Sequence, residues 1–187
     1  MLSRLTLFFI TIFFQLPLFI LHGLGGFLGR VAYQFDRRFK ERIDANLKRA
    51  SISSDENDLK KLTQLSIREI GKCLMEAPAI WFNSPQKNFR WVKQCYGWQH
   101  VETALKKKKG IIFLTPHLGC FEITAQYYAH FHPITVLFKR PKLNWLANIV
   151  LSGRRHSQVH LAEANLHGVK QLMQALKKGE AIGVLPD

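Results

Sequence analysis

The stretch Gly110-Ile111-Ile112-Phe113-Leu114-Thr115-Pro116-His117-Leu118-Gly119-Cys120-Phe121-Glu122 decides how this chain folds. Ile111 to Leu114 is a short β-branched and aromatic run, which reads as a buried strand. Thr115-Pro116 and Gly119 interrupt it, and a helical pattern then runs from Phe121 to about Phe131. A strand feeding a helix through a tight turn is the building unit of α/β domains.

The same alternation continues downstream. Pro133 ends the helix and Ile134 to Phe138 reads as a second strand. Leu143 to Ser152 is expected to be helical. Leu166 to Lys178 is a clearer helix, with Val169, Leu172, Met173 and Leu176 on one face and Gly179 just past its end. Ala181 to Leu185 reads as a third strand. The expected fold class is α/β, with a mainly parallel sheet flanked by helices. The chain stops at Pro186-Asp187, just after a strand, where α/β proteins place functional loops. The domain is therefore expected to continue past Asp187.

Upstream, a long helix is predicted from Asp55 to Phe82, opened by a capping box of Ser53 and Glu56. Leu59, Leu62, Leu65, Ile70, Cys73, Leu74, Ala77 and Trp81 recur mostly at three- and four-residue steps, and Pro78 is expected to kink or end it. Further back, Leu5 to Gly29 carries no charged side chain. That length exceeds the roughly 20 residues a bilayer-crossing helix needs. A cleaved signal peptide is the alternative, but the apolar part is long and no small-x-small cleavage site precedes Arg30. The division expected is a membrane anchor helix over 1–29 and one domain over 30–187. Only Arg4 precedes the apolar segment, whereas Arg30, Arg37, Arg38, Lys40 and Arg42 follow it, so the C-terminal side is expected to be cytoplasmic.

Charge points the same way. The 187 residues hold 27 basic and 13 acidic side chains, a formal net of +14, with 47% hydrophobic residues. Nucleic acid, an anionic membrane and an acidic protein all fit that excess. No zinc-ligand spacing or RNA-binding signature is present, so no nucleic-acid partner is expected and membrane lipid is preferred. Cys73, Cys95 and Cys120 are odd in number and lack a C-x-x-C pair, which argues against a disulfide framework or zinc. His156 and His160 have metal-ligand spacing without a third ligand, so no metal is expected. Lys106 to Lys109 reads as a solvated helix end, with protein docking as the alternative. Trp81, Trp91, Trp98 and Trp145 read as core or interfacial anchors.

The chemistry sits at His117 and Glu122. Five steps along a regular helix turn about 500°, which puts the two on different faces. They can meet only if His117 lies off the helix, on the turn, with Glu122 in the first helical turn. A neutral imidazole titrates near working pH and suits a general base. A carboxylate on its other nitrogen fixes the tautomer and stabilises the imidazolium, as in serine-hydrolase triads. With the hydroxyl coming from the substrate, such a pair serves acyl transfer to an alcohol. Eight histidines among 13 acidic residues give roughly half a match of this kind by accident, so context carries the argument.

At these residues the chain resembles the late (secondary) acyltransferases of lipid A biosynthesis, a lysophospholipid-acyltransferase-like family with an H-x4-D/E motif. The likeness includes Arg42 to Leu47, Gly110 to Glu122, Phe138 to Pro141 (F-K-R-P), Arg154 or Arg155, and Gly179 to Asp187 (G-E-A-I-G-V-L-P-D). Where the family usually has Gly-Asn between the two motif residues, this chain has Gly119-Cys120. Family members continue beyond the matching Pro-Asp with a glutamine and a block rich in glycine and phenylalanine. The resemblance implies transfer of a fatty acyl chain from acyl carrier protein, or acyl-CoA, to a hydroxyl of a lipid A precursor at the inner membrane, with no other cofactor. By matching position, His117 is the base and Glu122 its partner. Arg140 and one of Arg154 and Arg155 bind phosphate or organise the site, and Gly119 lies on the substrate side. A glycerophospholipid acyltransferase is the nearest alternative, but the chain lacks its F-P-E-G-T-R-like block. A non-catalytic lipid-binding homologue is the other.

Overall fold

A computed structural model of the chain describes residues 4–154 and 158–186. In order these form α1 (Arg4–Phe14), α2 (Leu18–Phe35), α3 (Arg37–Ala50), α4 (Glu56–Phe82), α5 (Pro85–Trp91), α6 (Trp98–Lys106), β1 (Ile111–Leu114), α7 (Glu122–Tyr128), β2 (Ile134–Phe138), α8 (Asn144–Arg154), β3 (Val159–Glu163), α9 (Leu166–Lys177) and β4 (Ala181–Val184). Two compact units emerge, one of Ile12–Ala79 and one of Met1–Thr11 with Ile80–Asp187.

The second unit holds the sheet. All pairings are parallel and the strand order is β1-β4-β2-β3, with Ile111 opposite Ala181 and Ile134 opposite both Ala181 and Val159. Alternation along the strands separates two cores. Ile134, Val159 and Ala181 pack with Tyr128 and Ala129 on the α7 face, backed by Trp98 and Phe113. On the other face Ala162 and Ile182 pack against Leu172 and Ala175 of α9. That face extends to β1 as exposed apolar surface, for Ile112 and Leu114 are 58% and 66% accessible.

The α/β class and the parallel sheet agree with the sequence expectation, with one strand added. β3 was not anticipated, because Val-His-Leu-Ala-Glu mixes two polar residues with an alanine and lies at the sheet's edge, exposing His160 and Glu163. α7 is shorter than expected, ending at Tyr128.

In the helical unit, α4 begins one residue later than expected, and its cap differs. Asp55 accepts from the Asp58 amide at 3.2 Å, while Ser53 Oγ accepts from the Asp55 amide at 3.1 Å. Asp55, not Ser53, is the residue that satisfies the helix's free N–H. Pro78 does not end α4, which continues to Phe82. Gly25 and Gly29 of α2 are packing residues. A Cβ on Gly71 of α4 would lie 1.9 Å from the Gly25 carbonyl oxygen, and one on Gly29 would lie 2.4 Å from that of Ile67. Only glycine lets the two backbones touch, and His22 Nε2 and Glu76 Oε1 close the same crossing at 2.6 Å.

The expected single membrane helix is not present as one element. Pro17 lacks an N–H and disfavours helical backbone at the residue before it, so the apolar segment divides into α1 and α2. Among the described residues no single helix is long and apolar enough to cross a membrane, although α1 and α2 pass that test together as a bent pair.

Candidate active site

His117 stands in the loop between β1 and α7, and Glu122 is the first residue of α7. The imidazole is thus off the helix, as the spacing argument required. Gly119 has φ +55°, in the left-handed region that glycine enters without strain, and this reverses the chain between them. The loop leaves the carboxyl end of β1, where α/β sheets gather their functional groups.

Both side chains line one cavity of about 700 Å³. Its wall is largely apolar, with Phe113, Ile134, Val136, Phe138, Val159 and Leu161 contributed by the sheet. Arg154 and Lys139 add positive charge. His117 is exposed and its ring meets Phe121 edge-on, 4.8 Å between centroids. Glu122 is buried, only 9% accessible. A buried carboxylate needs partners, and α8 supplies the main one. Arg154 Nε donates to Oε2 at 2.9 Å and Nη2 donates to Oε1, a two-pronged guanidinium–carboxylate pair. Trp81 Nε1 donates to Oε2 at 3.0 Å, and the Arg154 guanidinium lies 5.8 Å from the Trp81 ring centroid. A carboxylate has about four acceptor positions. These three bonds take both positions on Oε2 and one on Oε1, leaving one on Oε1 among the described residues.

A second set of hydrogen bonds runs alongside. Fully buried Asn88 donates to the Ile80 carbonyl at 2.8 Å and to Gln126 Oε1 at 2.7 Å, and Gln126 Nε2 donates to the Gly153 carbonyl at 3.4 Å. The end of α4, α5, α7 and α8 are therefore bound together immediately behind Glu122. Burial pushes the Tyr128 phenol above its usual value on the same helix.

Of the residues singled out from sequence, His117, Glu122 and Arg154 come together on this cavity. Arg140 is exposed just past β2, beside the wall residue Lys139. Gly119 is exposed in the loop. Arg155 and His156 lie outside the described residues, as does Asp187, and His160 is exposed on β3. No group of three or more metal-ligating side chains is gathered among the described residues. Trp81 carries more than an anchor's role, since it bonds the site carboxylate. Trp98 packs with Tyr127, Tyr128 and Phe131 as a core residue. Lys106 to Lys109 lie before β1, at the end of the sheet opposite His117, and the Lys108 carbonyl there packs against Gly179.

Comparison with known proteins bears on this arrangement. The chain is 26% identical over 176 residues to a lipid A biosynthesis lauroyltransferase of Escherichia coli (strain K12), covering 92% of this chain and 56% of that one. A lipid A biosynthesis palmitoleoyltransferase of the same organism is also 26% identical, over 175 residues, with the same coverage. A lipid A biosynthesis acyltransferase of Shigella flexneri matches at 26% over 175 residues. The chain thus spans about half the length of the curated relatives it matches. The family model "Bacterial lipid A biosynthesis acyltransferase" matches residues 1–187, and the chain belongs to that family.

Proposed function

We propose that this chain carries the catalytic pair of an O-acyltransferase that moves a fatty acyl chain onto a hydroxyl of a lipid A precursor. One observation carries the reading: His117 and Glu122 line a single, mostly apolar cavity at the carboxyl end of β1. Such a cavity can take a hydrocarbon chain, each buried methylene contributing about 0.8 kcal/mol. His117, Glu122 and Arg154 supply polar groups on the wall of the same cavity.

In this mechanism the His117 imidazole removes the proton of the acceptor hydroxyl as its oxygen attacks the thioester carbonyl. The C–O bond forms, the C–S bond breaks, and the imidazolium returns the proton to the departing thiolate. Glu122 orients the ring through the acceptor position left on Oε1 and stabilises its charged form. The donor is an acyl carrier protein thioester, or acyl-CoA, and no further cofactor takes part. By matching position in the family, Arg140, Arg155 and Gly119 are assigned to contact with the phosphorylated acceptor, arginine being suited to two-pronged phosphate contacts. Residues 1–29 seat the protein in the inner membrane, with 30–187 on the cytoplasmic side. The exposed Phe8, Phe9, Phe19 and Phe27 support the membrane contact, and the net charge of +14 favours anionic lipid.

The test is acyl transfer by the purified protein in detergent, supplied with lipid A precursor and each thioester donor. Product made by the unaltered protein and lost in His117→Ala is expected. Absence of product with both donors, from folded protein, overturns the reading.

A further inference from the structure

We infer that Trp81 is a positioning residue that fixes the Glu122 carboxylate, and that Gly153 exists to seat it. The inference deepens the proposed acyl-transfer reading, on which its kinetic test rests. Its spectroscopic test does not.

Three observations converge. First, the Trp81 indole N–H donates to Glu122 Oε2 at 3.0 Å, the same oxygen that takes the Arg154 Nε–H at 2.9 Å. Two donors in different directions on one oxygen set the rotation of the carboxylate plane, which a guanidinium alone leaves free to pivot about its own fork. Oε1 then has its remaining acceptor position in a defined direction. Second, Trp81 and Arg154 hold each other. The guanidinium lies 5.8 Å from the indole centroid, within range of a cation–π contact. Third, the fit is tight at the base of the Trp81 side chain. A Cβ on Gly153 would stand 2.2 Å from the Trp81 Cβ and 2.7 Å from its Cγ. Such contacts do not occur, so any side chain at 153 must displace Trp81. Gly153 and Arg154 are consecutive residues of α8. One seats the indole, and the next grips the carboxylate that the indole touches.

An anchor that only filled space would need none of this. Phenylalanine would fill the slot almost as well, yet it has no donor. A buried indole N–H also needs an acceptor, so the carboxylate and the indole satisfy one another.

The test replaces Trp81 by phenylalanine and, at the same position, by 3-benzothienylalanine, which keeps the indole outline but has sulfur in place of N–H. Loss of one hydrogen bond to a charged group should lower kcat about 10- to 100-fold, with KM for the thioester donor within about twofold and the unfolding temperature nearly unchanged for the sulfur analogue. In a second measurement, the Trp81 indole resonance in a ¹⁵N–¹H spectrum, assigned by its disappearance in Trp81→Phe, should shift in Glu122→Gln and in Gly153→Ala. An unchanged kcat in the sulfur analogue, or an indole resonance unmoved by Glu122→Gln, overturns the inference. If the unaltered protein makes no product, the acyl-transfer reading fails and the resonance alone decides the role of Trp81.

Discussion

Arg154 meets Glu122 with two prongs, Nε on Oε2 at 2.9 Å and Nη2 on Oε1. The arginine is one quarter exposed and the glutamate side chain 6%, so the pair is shielded from most solvent screening. Removing one partner of such a pair leaves a charge with nothing to balance it. Arg154→Ala should destabilise the protein by about 3 kcal/mol and abolish turnover together. Arg154→Lys keeps the charge but cannot span both oxygens, so it should fold well and turn over at least about tenfold more slowly. Thermal unfolding and single-turnover kinetics on the two variants separate these effects. A lysine variant as active as the original protein would remove the geometric role of the fork.

His117 offers a contrast. It is exposed, in a loop, and contributes little burial. His117→Ala should leave the unfolding free energy within about 0.5 kcal/mol while reducing turnover about 10²- to 10⁴-fold, the span of general-base catalysis. Chemical denaturation and a product assay measure the two quantities. Near-normal turnover in the folded variant would assign the proton transfer elsewhere.

The crossing of α2 and α4 tests a different link, from sequence to packing. Gly71→Ala places a methyl 1.9 Å from the Gly25 carbonyl oxygen, which is backbone and cannot swing away. The helices must separate, at a cost of about 1–3 kcal/mol for overpacking. Gly23→Ala, on the same helix as Gly25, meets nothing within 4 Å and should be neutral or slightly stabilising through helix propensity. Comparing the two unfolding temperatures checks the crossing directly. Equal values would mean that the helices do not meet at Gly71.

What could be read beforehand follows from how local each signal is. β1, β2, β4 and α9 announce themselves by composition and period within a dozen residues. So does the turn that takes His117 off the helix, since Pro116 and Gly119 stand within two residues of it in the chain. α3 was missed because its apolar stripe is narrow, with Phe39, Ile43 and Leu47 standing alone among charged neighbours. The break at Pro17 is hidden in the sequence by the apolar length around it. The Trp81–Glu122 bond spans 41 residues, and no spacing rule relates two side chains that far apart. Nor does any local signal mark Gly25 and Gly29 as packing residues, since the backbones they meet, at Gly71 and Ile67, are 46 and 38 residues away. Arg154 was legible only as one of a pair with Arg155; its bond to a carboxylate depends on where α8 ends.

The cavity carries the last prediction. Val136 stands on its wall in the middle of β2, and its methyl lies 3.4 Å from where a Cβ on Gly183 would be. Its side chain already lines the cavity, so a larger side chain at 136 takes up part of that space. Val136→Phe should therefore shorten the longest acyl chain that fits, with His117, Glu122 and Arg154 unaltered. Each methylene forced out of the cavity forfeits about 0.8 kcal/mol, close to a fourfold loss. Two such groups should lower kcat/KM for the longer donor more than about tenfold relative to one two carbons shorter. The measurement is a competition between thioester donors of graded length, scored by mass spectrometry of the acylated product. Because only the ratio between donors is read, a general loss of stability or turnover in the variant cancels. An unchanged length preference would place the hydrocarbon chain outside this cavity, even with the His117 chemistry intact.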